Sequence, residues 1–422
     1  MNADPTAVDT PGHLFSRQKL PVTTMVATSF LSAVGNHMTA IAVPWFVLTL
    51  TGSAAQTGLT AAVTLLPSVF MSFFGGAIAD RMNARKLSVF ADVMSGTTVA
   101  LVPLLYLLDV LSFPLLLFLM FLGAVFDTPG GTARSTMLPR LAERSGVSLE
   151  RINSAQGVGF AISSIIGAAA SGLLIGLLGA TNVMWFNAAT FAVSALGILL
   201  FVPDPGVNPP SGESLLTDIR IGLRYVWHDR LVRALILNAL VINLVYSPLF
   251  GVAMPYYAKT VFNSATALGF IAASYGGGAL IGSLLYGIIG EKVSRRALML
   301  GSVALLTVPM FGMITVPGFW ATLAIMATCS VGAGLVNPML GTLMMRRTPQ
   351  HLLGRVMGVT QAGAMIATPL GMIVVGPMLD RVGLAGTFTI VATLLGGVLV
   401  SVLANRSLRA IDHLDAPHAQ PA

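Results

Sequence analysis

The apolar residues of this 422-residue chain are gathered into runs of about twenty, the length an α-helix needs to cross a hydrocarbon layer. The runs fall at about residues 22–50, 55–79, 87–108, 112–137, 152–178, 182–202, 231–258, 264–290, 297–316, 319–345, 355–378 and 384–405. Hydrophobic residues make up 55% of the chain and charged ones 9%, against roughly 25% charged in a soluble domain. A water-facing surface of ordinary composition is therefore excluded. In lipid each backbone N–H and C=O must be satisfied inside its own segment, which long apolar runs achieve as helices. The expected fold class is an all-α membrane protein with twelve transmembrane helices.

The net charge of +7 could suggest a nucleic-acid partner, so the placement of the cations decides. Of 23 Lys and Arg, 21 fall in alternate gaps between runs, among them Arg81, Arg85, Lys86, Arg134, Arg140, Arg295 and Arg296; Lys259 and Arg381 fall in the other set. A basic stripe for nucleic acid would not skip every second gap, whereas the positive-inside rule demands it. The expectation is a multi-pass protein of the cell membrane with both termini cytoplasmic and no nucleic-acid partner. Cys329, the single cysteine, excludes an intramolecular disulfide and a cysteine metal site. The first run is too long for a signal-peptide core.

Pro203, Pro205, Pro209 and Pro210 mark a linker after the sixth run. Beyond them Leu215, Leu216, Ile219, Leu223, Val226 and Trp227 share one helical face, with Asp218, Arg220 and Arg224 on the other. This reads as an amphipathic helix lying along the cytoplasmic interface, or packed on the protein's own cytoplasmic end. The expected organisation is a tail over 1–21, a six-helix bundle over 22–202, a linker over 203–230, a second bundle over 231–405 and a tail over 406–422.

The two bundles are repeats. The Gly76, Asp80, Arg81, Asn83, Arg85 pattern that closes the second run returns as Gly287, Glu291, Lys292, Ser294, Arg295, Arg296 after the eighth, displaced by 211 residues. Asp127, Gly131, Thr132 and Pro139 return as Asn337, Gly341, Thr342 and Pro349, displaced by 210. Parallel six-helix repeats are a transporter architecture with the solute path at their interface.

With these motifs the chain resembles the major facilitator superfamily over essentially its whole length. Trp45 to Ser53, Phe126 to Pro129 with Arg134 and Pro139, and Gly222 to Trp227 are similar to the branch of macrolide-efflux and enterobactin-export carriers. Asn83 and Ser294 stand where the family pattern has a second glycine; Asn83 tolerates positive φ in the tight turn expected there. Gly167-Ala168 and Ser171-Gly172 depart from the Gly-Pro and Gly-Gly of proton antiporters. The resemblance implies two pseudo-symmetric six-helix bundles and a cytoplasmic latch built from Gly76, Asp80, Arg81, Arg85, Glu291 and Arg295, with an arginine reaching Asp127. The alternative reading of these cations is that they only set topology.

Helix 1 carries Ser29, Ser32, Asn36 and Thr39 within about a quarter of its circumference, with His37 on the flank. His37 is either a proton carrier or a neutral residue satisfied by a carbonyl; Asp127 is the other coupling candidate. By resemblance helices 1, 4, 7 and 10 line the cavity, which adds Asn238, Asn243, Tyr246 and Asn337 as substrate contacts; each can instead stitch helices together. Met120, Phe121, Met254 and Tyr257 offer apolar contact, and Gly159, Gly167, Gly172, Gly278 and Gly282 allow close helix approach.

The expected activity is secondary transport, namely proton-coupled efflux of an amphipathic or lipophilic small molecule of drug or siderophore class by a monomer. The alternative is an importer or lipid-moving carrier of the same fold. No cofactor or metal is expected, since no His, Cys or carboxylate constellation occurs at one depth and no Gly-rich Lys loop for ATP is present.

Overall fold

The computed structural model describes the backbone of residues 18–81, 83–204 and 215–405, without the side chains at 72–81, 215–219, 222, 350, 351 and 354. The first six helices are α1 (Leu20–Thr51), α2 (Ala54–Arg81), α3 (Ala84–Leu107), α4 (Phe113–Ser145), α5 (Leu149–Leu178) and α6 (Ala180–Phe201). The linker forms α7 (Leu215–His228). A single run then spans Arg230–Phe262: α8 (Arg230–Pro248), a π-turn at Leu249–Ala253, α9 (Met254–Tyr257) and a second π-turn at Ala258–Phe262. There follow α10 (Ala265–Ile289), α11 (Arg295–Thr307) tightening into a 3-10 turn at Pro309–Thr315, α12 (Phe319–Arg347) and α13 (Gln350–Ala404).

Among the described residues eleven runs are long and apolar enough to cross a bilayer. The last is double. Helix α13 has 55 residues, and at about 1.5 Å per residue a straight helix of that length would overshoot a hydrocarbon core of about 30 Å more than twofold. At Gly383 the backbone leaves helical geometry with φ 69° and ψ −173°, dividing α13 into two spanning helices. The twelve expected from run length are present.

Polar side chains at the ends fix where helices begin. Asn83 caps α3, its side-chain oxygen accepting from the Lys86 N–H at 3.1 Å; Ser294 caps α11 by accepting from the Ala297 N–H at 3.3 Å. Their φ values are −64° and −56°. The expectation of a positive-φ turn at Asn83 is therefore corrected: both positions serve as N-caps, for which Asn and Ser are favoured. Asp229 caps α8 through the Leu231 and Val232 N–H groups, at 2.9 and 3.0 Å, while its other oxygen accepts from Arg347 Nε at 2.8 Å.

The chain packs as two units. The first takes α1 up to Thr39, the chain from Phe70 to Gly167, and α6 from Thr181; the second takes Ala40–Val69, Ala168–Ala180 and the described chain from α7 onward. The first has a core of Met25, Leu87, Ala133, Met137, Leu141, Ile152 and Ile198. The second is built on Leu235, Met299, Val303, Leu335, Met339, Leu343 and Val398. Large apolar side chains also cover the outside, with Leu177, Leu200 and Trp320 exposed by 70%, 68% and 79%. Lipid is the solvent that such a surface requires.

Glycines set the closest crossings. A Cβ on Gly282 would lie 3.0 Å from the Gly334 Cα, joining α10 to α12, and one on Gly167 would lie 2.7 Å from the His37 Cβ, joining α5 to α1. Small residues at such points let backbones approach in a membrane. Gly159 meets only an ordinary contact with Phe30.

Helix α7 splits its apolar stripe. Val226 is buried against the second unit's core, whereas Leu223 and Trp227 are exposed beside Arg220 and Arg224. Leu215, Leu216, Asp218 and Ile219 have side chains outside the described set.

Candidate functional site

A cavity of about 620 Å³ opens within the first unit between α1, α4 and α5, a size typical of small-molecule sites. Helical spacing explains its lining. On α1, Ser29, Ser32, Ala33 and Asn36 face it, one and two turns apart; on α4, Asp127, Thr128, Gly131, Thr132, Arg134 and Ser135 do. Helix α5 adds Asn153, Gln156 and Phe160, and Val26 and Phe30 complete an apolar wall. The site thus combines hydroxyls, amides, one carboxylate, one guanidinium and aromatic surface.

Its polar groups are held from behind. Asn187 of α6, only 1% exposed, donates from Nδ2 to Thr39 Oγ1 at 2.7 Å and to Asn36 Oδ1 at 3.4 Å. Asn36 Nδ2 in turn donates to Asp127 Oδ2 at 3.3 Å. Thr190 Oγ1 donates to Asn187 Oδ1 at 3.1 Å, closing a chain from α6 through α1 to α4. Gly35 makes this crossing possible, since a Cβ there would strike the Asn187 and Thr190 side chains. Ser32 Oγ is buried, lines the cavity and makes no hydrogen bond within the described protein.

A second buried network lies alongside. Asp92 of α3, 1% exposed, is paired with Arg134 of α4 and accepts from Ser194 Oγ at 2.8 Å. Arg134 Nε donates to Ser88 Oγ at 3.2 Å. Arg134, counted among the alternate-gap cations, falls inside the fourth run and inside α4, which continues past 137 to Ser145, and it neutralises a buried acid.

Of the residues singled out from sequence, Ser29, Ser32, Asn36, Asp127 and Gly159 line this cavity. His37 does not; its ring packs edge-on against Phe160 with centroids 5.2 Å apart. Asn238, Asn243, Tyr246, Asn337, Met254 and Tyr257 lie in the second unit. Asn243 Nδ2 donates to the Ala239 carbonyl in its own helix, and buried Tyr246 donates to the Leu306 carbonyl. Asn238 is buried and Asn337 exposed. Met254 and Tyr257 are fully buried packing residues, Tyr257 hydrogen-bonding Thr322 and the Pro317 carbonyl.

In the loop motif, Arg85 donates to the Leu199 carbonyl of α6, and Asp127 takes its hydrogen bond from Asn36. The side chains of Gly76, Asp80 and Arg81 lie outside the described set; Glu291 is exposed and Arg295 half-buried. Sequence reasoning passed over Asn187 and the Asp92–Arg134 pair. The available signal was their cost: a polar residue inside an apolar run needs a partner.

Residues 17–421 match the family described as transmembrane secretion effectors. The chain is 35% identical to the multidrug efflux pump Tap of Mycolicibacterium fortuitum over 408 residues, covering 94% of this chain and 98% of that protein. It is 22% identical to macrolide efflux protein A of Streptococcus pyogenes over 94% of this chain and 99% of the relative. Among solved structures, the nucleoside transporter NupG superposes with a TM-score of 0.74 at 13% identity, covering 92% of this chain and 98% of the other.

Proposed function

Because the chain belongs to the transmembrane secretion effector family of the major facilitator superfamily, we propose that it exports amphipathic or lipophilic small molecules of drug or siderophore class by alternating access, in exchange for protons. The cavity of the first unit carries this reading. Its wall of Val26, Phe30 and Phe160 suits a hydrophobic body, while Asn36, Gln156 and the unpartnered Ser32 hydroxyl suit a few polar groups. The relatives named as multidrug and macrolide pumps support this substrate range.

Asp127 is the coupling residue in this proposal. It is the carboxylate that lines the cavity, and it can hold either a proton or a substrate cation; His37 is turned onto Phe160. The alternate cation-rich gaps orient the chain with both termini in the cytoplasm. The cavity then lies in the cytoplasmic halves of α1, α4 and α5.

Proteoliposomes preloaded with a macrolide or a lipophilic cation, and given an acid-outside gradient, test it. Export by the native protein is expected. Asp127→Asn is expected to abolish gradient-driven export while leaving substrate exchange without a gradient. If the native protein moves none of these compounds under the gradient, proton-driven export is refuted. If Asp127→Asn remains gradient-driven, Asp127 is not the proton carrier.

A further inference from the structure

The second unit contains a copy of the loop pattern that the repeat does not generate. Gly376, Asp380, Arg381 and Gly383 reproduce the spacing of Gly76, Asp80, Arg81 and Asn83, displaced by 300 residues. This copy closes the first of the two helices in α13 and lies against the start of α2, the end opposite Arg81. There Asp380 Oδ1 accepts from the Ala54 N–H at 3.1 Å, and Oδ2 accepts from the Ala55 N–H at 2.9 Å and from Ser53 Oγ at 3.2 Å. The first N–H groups of a helix have no intrahelical acceptor and carry partial positive charge, so one carboxylate satisfies two of them. One turn back, a Cβ on Gly376 would lie 2.9 Å from the Ala55 Cα; glycine is what lets α13 come this close.

The same unit holds two further ties between early and late helices. Lys259 lies over the Trp45 ring at 5.4 Å, and a Cβ on Gly172 would lie 2.5 Å from the Gly269 Cα. The terminal parts of α1, α2 and α5 are thereby packed with α8 to α10 and α13.

We propose that Asp380 is a positioning residue of the transport cycle, a carboxylate clasp that holds the start of α2 against α13 and must release it each time this end of the protein opens. In the orientation given above, this is the outer end. The proposal rests on the alternating-access reading, but its test needs no transported substrate. Thr57, 1% exposed and one turn into α2, is replaced by cysteine in a Cys329→Ala background, and cells are treated with a membrane-impermeant maleimide.

Asp380→Ala is expected to raise the labelling rate about fivefold, the population shift that a charge at an exposed helix N-terminus commands. Asp380→Glu is expected to restore much of the native rate. Hydrogen exchange at Ala54 and Ala55 rises in parallel in Asp380→Ala. Gly376→Ala, which keeps the carboxylate but wedges the crossing, is expected to raise labelling as well, and decides the matter alone should Asp380→Ala fail to reach the membrane. Labelling within twofold of native in the variants that reach the membrane overturns the clasp. Faster labelling in a protein that exports nothing leaves the clasp standing and refutes the export reading instead.

Discussion

Removing Arg134 isolates a charge that the fold has placed beyond the reach of water. Asp92 is 1% exposed, and its partners are the Arg134 guanidinium and the Ser194 hydroxyl. In Arg134→Leu the carboxylate keeps one neutral donor. Breaking a buried pair from one side costs about 3–5 kcal/mol; because Arg134 borders the cavity, the lower end, about 3 kcal/mol, applies. Adding Asp92→Asn removes the stranded charge and leaves a deficit of about 1 kcal/mol for lost neutral hydrogen bonds. At about 1 °C per kcal/mol for a chain of 422 residues, the single variant should melt about 3 °C below the native protein in detergent, and the double variant should recover more than half of that. Thermal unfolding followed by size-exclusion chromatography measures both. A single variant within about 1 kcal/mol of native, or a double variant no more stable than the single, would refute the claim that the pair is a desolvated, mutually dependent unit.

Four further outcomes are expected. Asn187→Ala deletes the donor behind Asn36 and Thr39 and should lower stability by about 1–3 kcal/mol, with a raised KM for export because Asn36 loses its support; unchanged KM counts against the chain of amides. Gly334→Val places a branched side chain against α10 and should cost about 1–3 kcal/mol or more, read as loss of folded protein on chromatography. Asp229→Ala removes the α8 cap together with the Arg347 partner and should lower the melting point by an amount equivalent to about 1–2 kcal/mol. Burial, and then the Asp229 carboxylate, push the Tyr225 phenol above its ordinary range against the opposing Arg347. Its raised value in the folded state means that stability is present below about pH 10 and lost as pH rises beyond it; Tyr225→Phe should flatten that alkaline slope in a denaturation series.

The number and approximate placement of the helices were legible because, in lipid, length and hydropathy alone decide whether a segment spans. Even the last pair was separable from run length, although its backbone is almost continuous. Pairing was less legible, since it depends on which faces meet. Arg140 and Arg144 read as loop cations because the fourth apolar run ends near 137, and nothing local says that α4 reaches Ser145. Asn83 looked like a turn residue, yet the same short polar side chain serves equally well as a cap. Asn36 and Asp127 were readable from the stripe on α1 and the repeat; Asn187 was not, because it stands alone in an apolar run and its partners lie 148 and 151 residues away.

Gly383 has one more bearing. A single left-handed residue makes the whole connection between the last two spanning helices, without any slack segment of the kind found after α3 or α4. A displacement of the Asp380 arm must therefore drag the terminal rod with it, and a reporter peptide spliced at this elbow should disable the protein where the same graft near Gly146 would be accommodated.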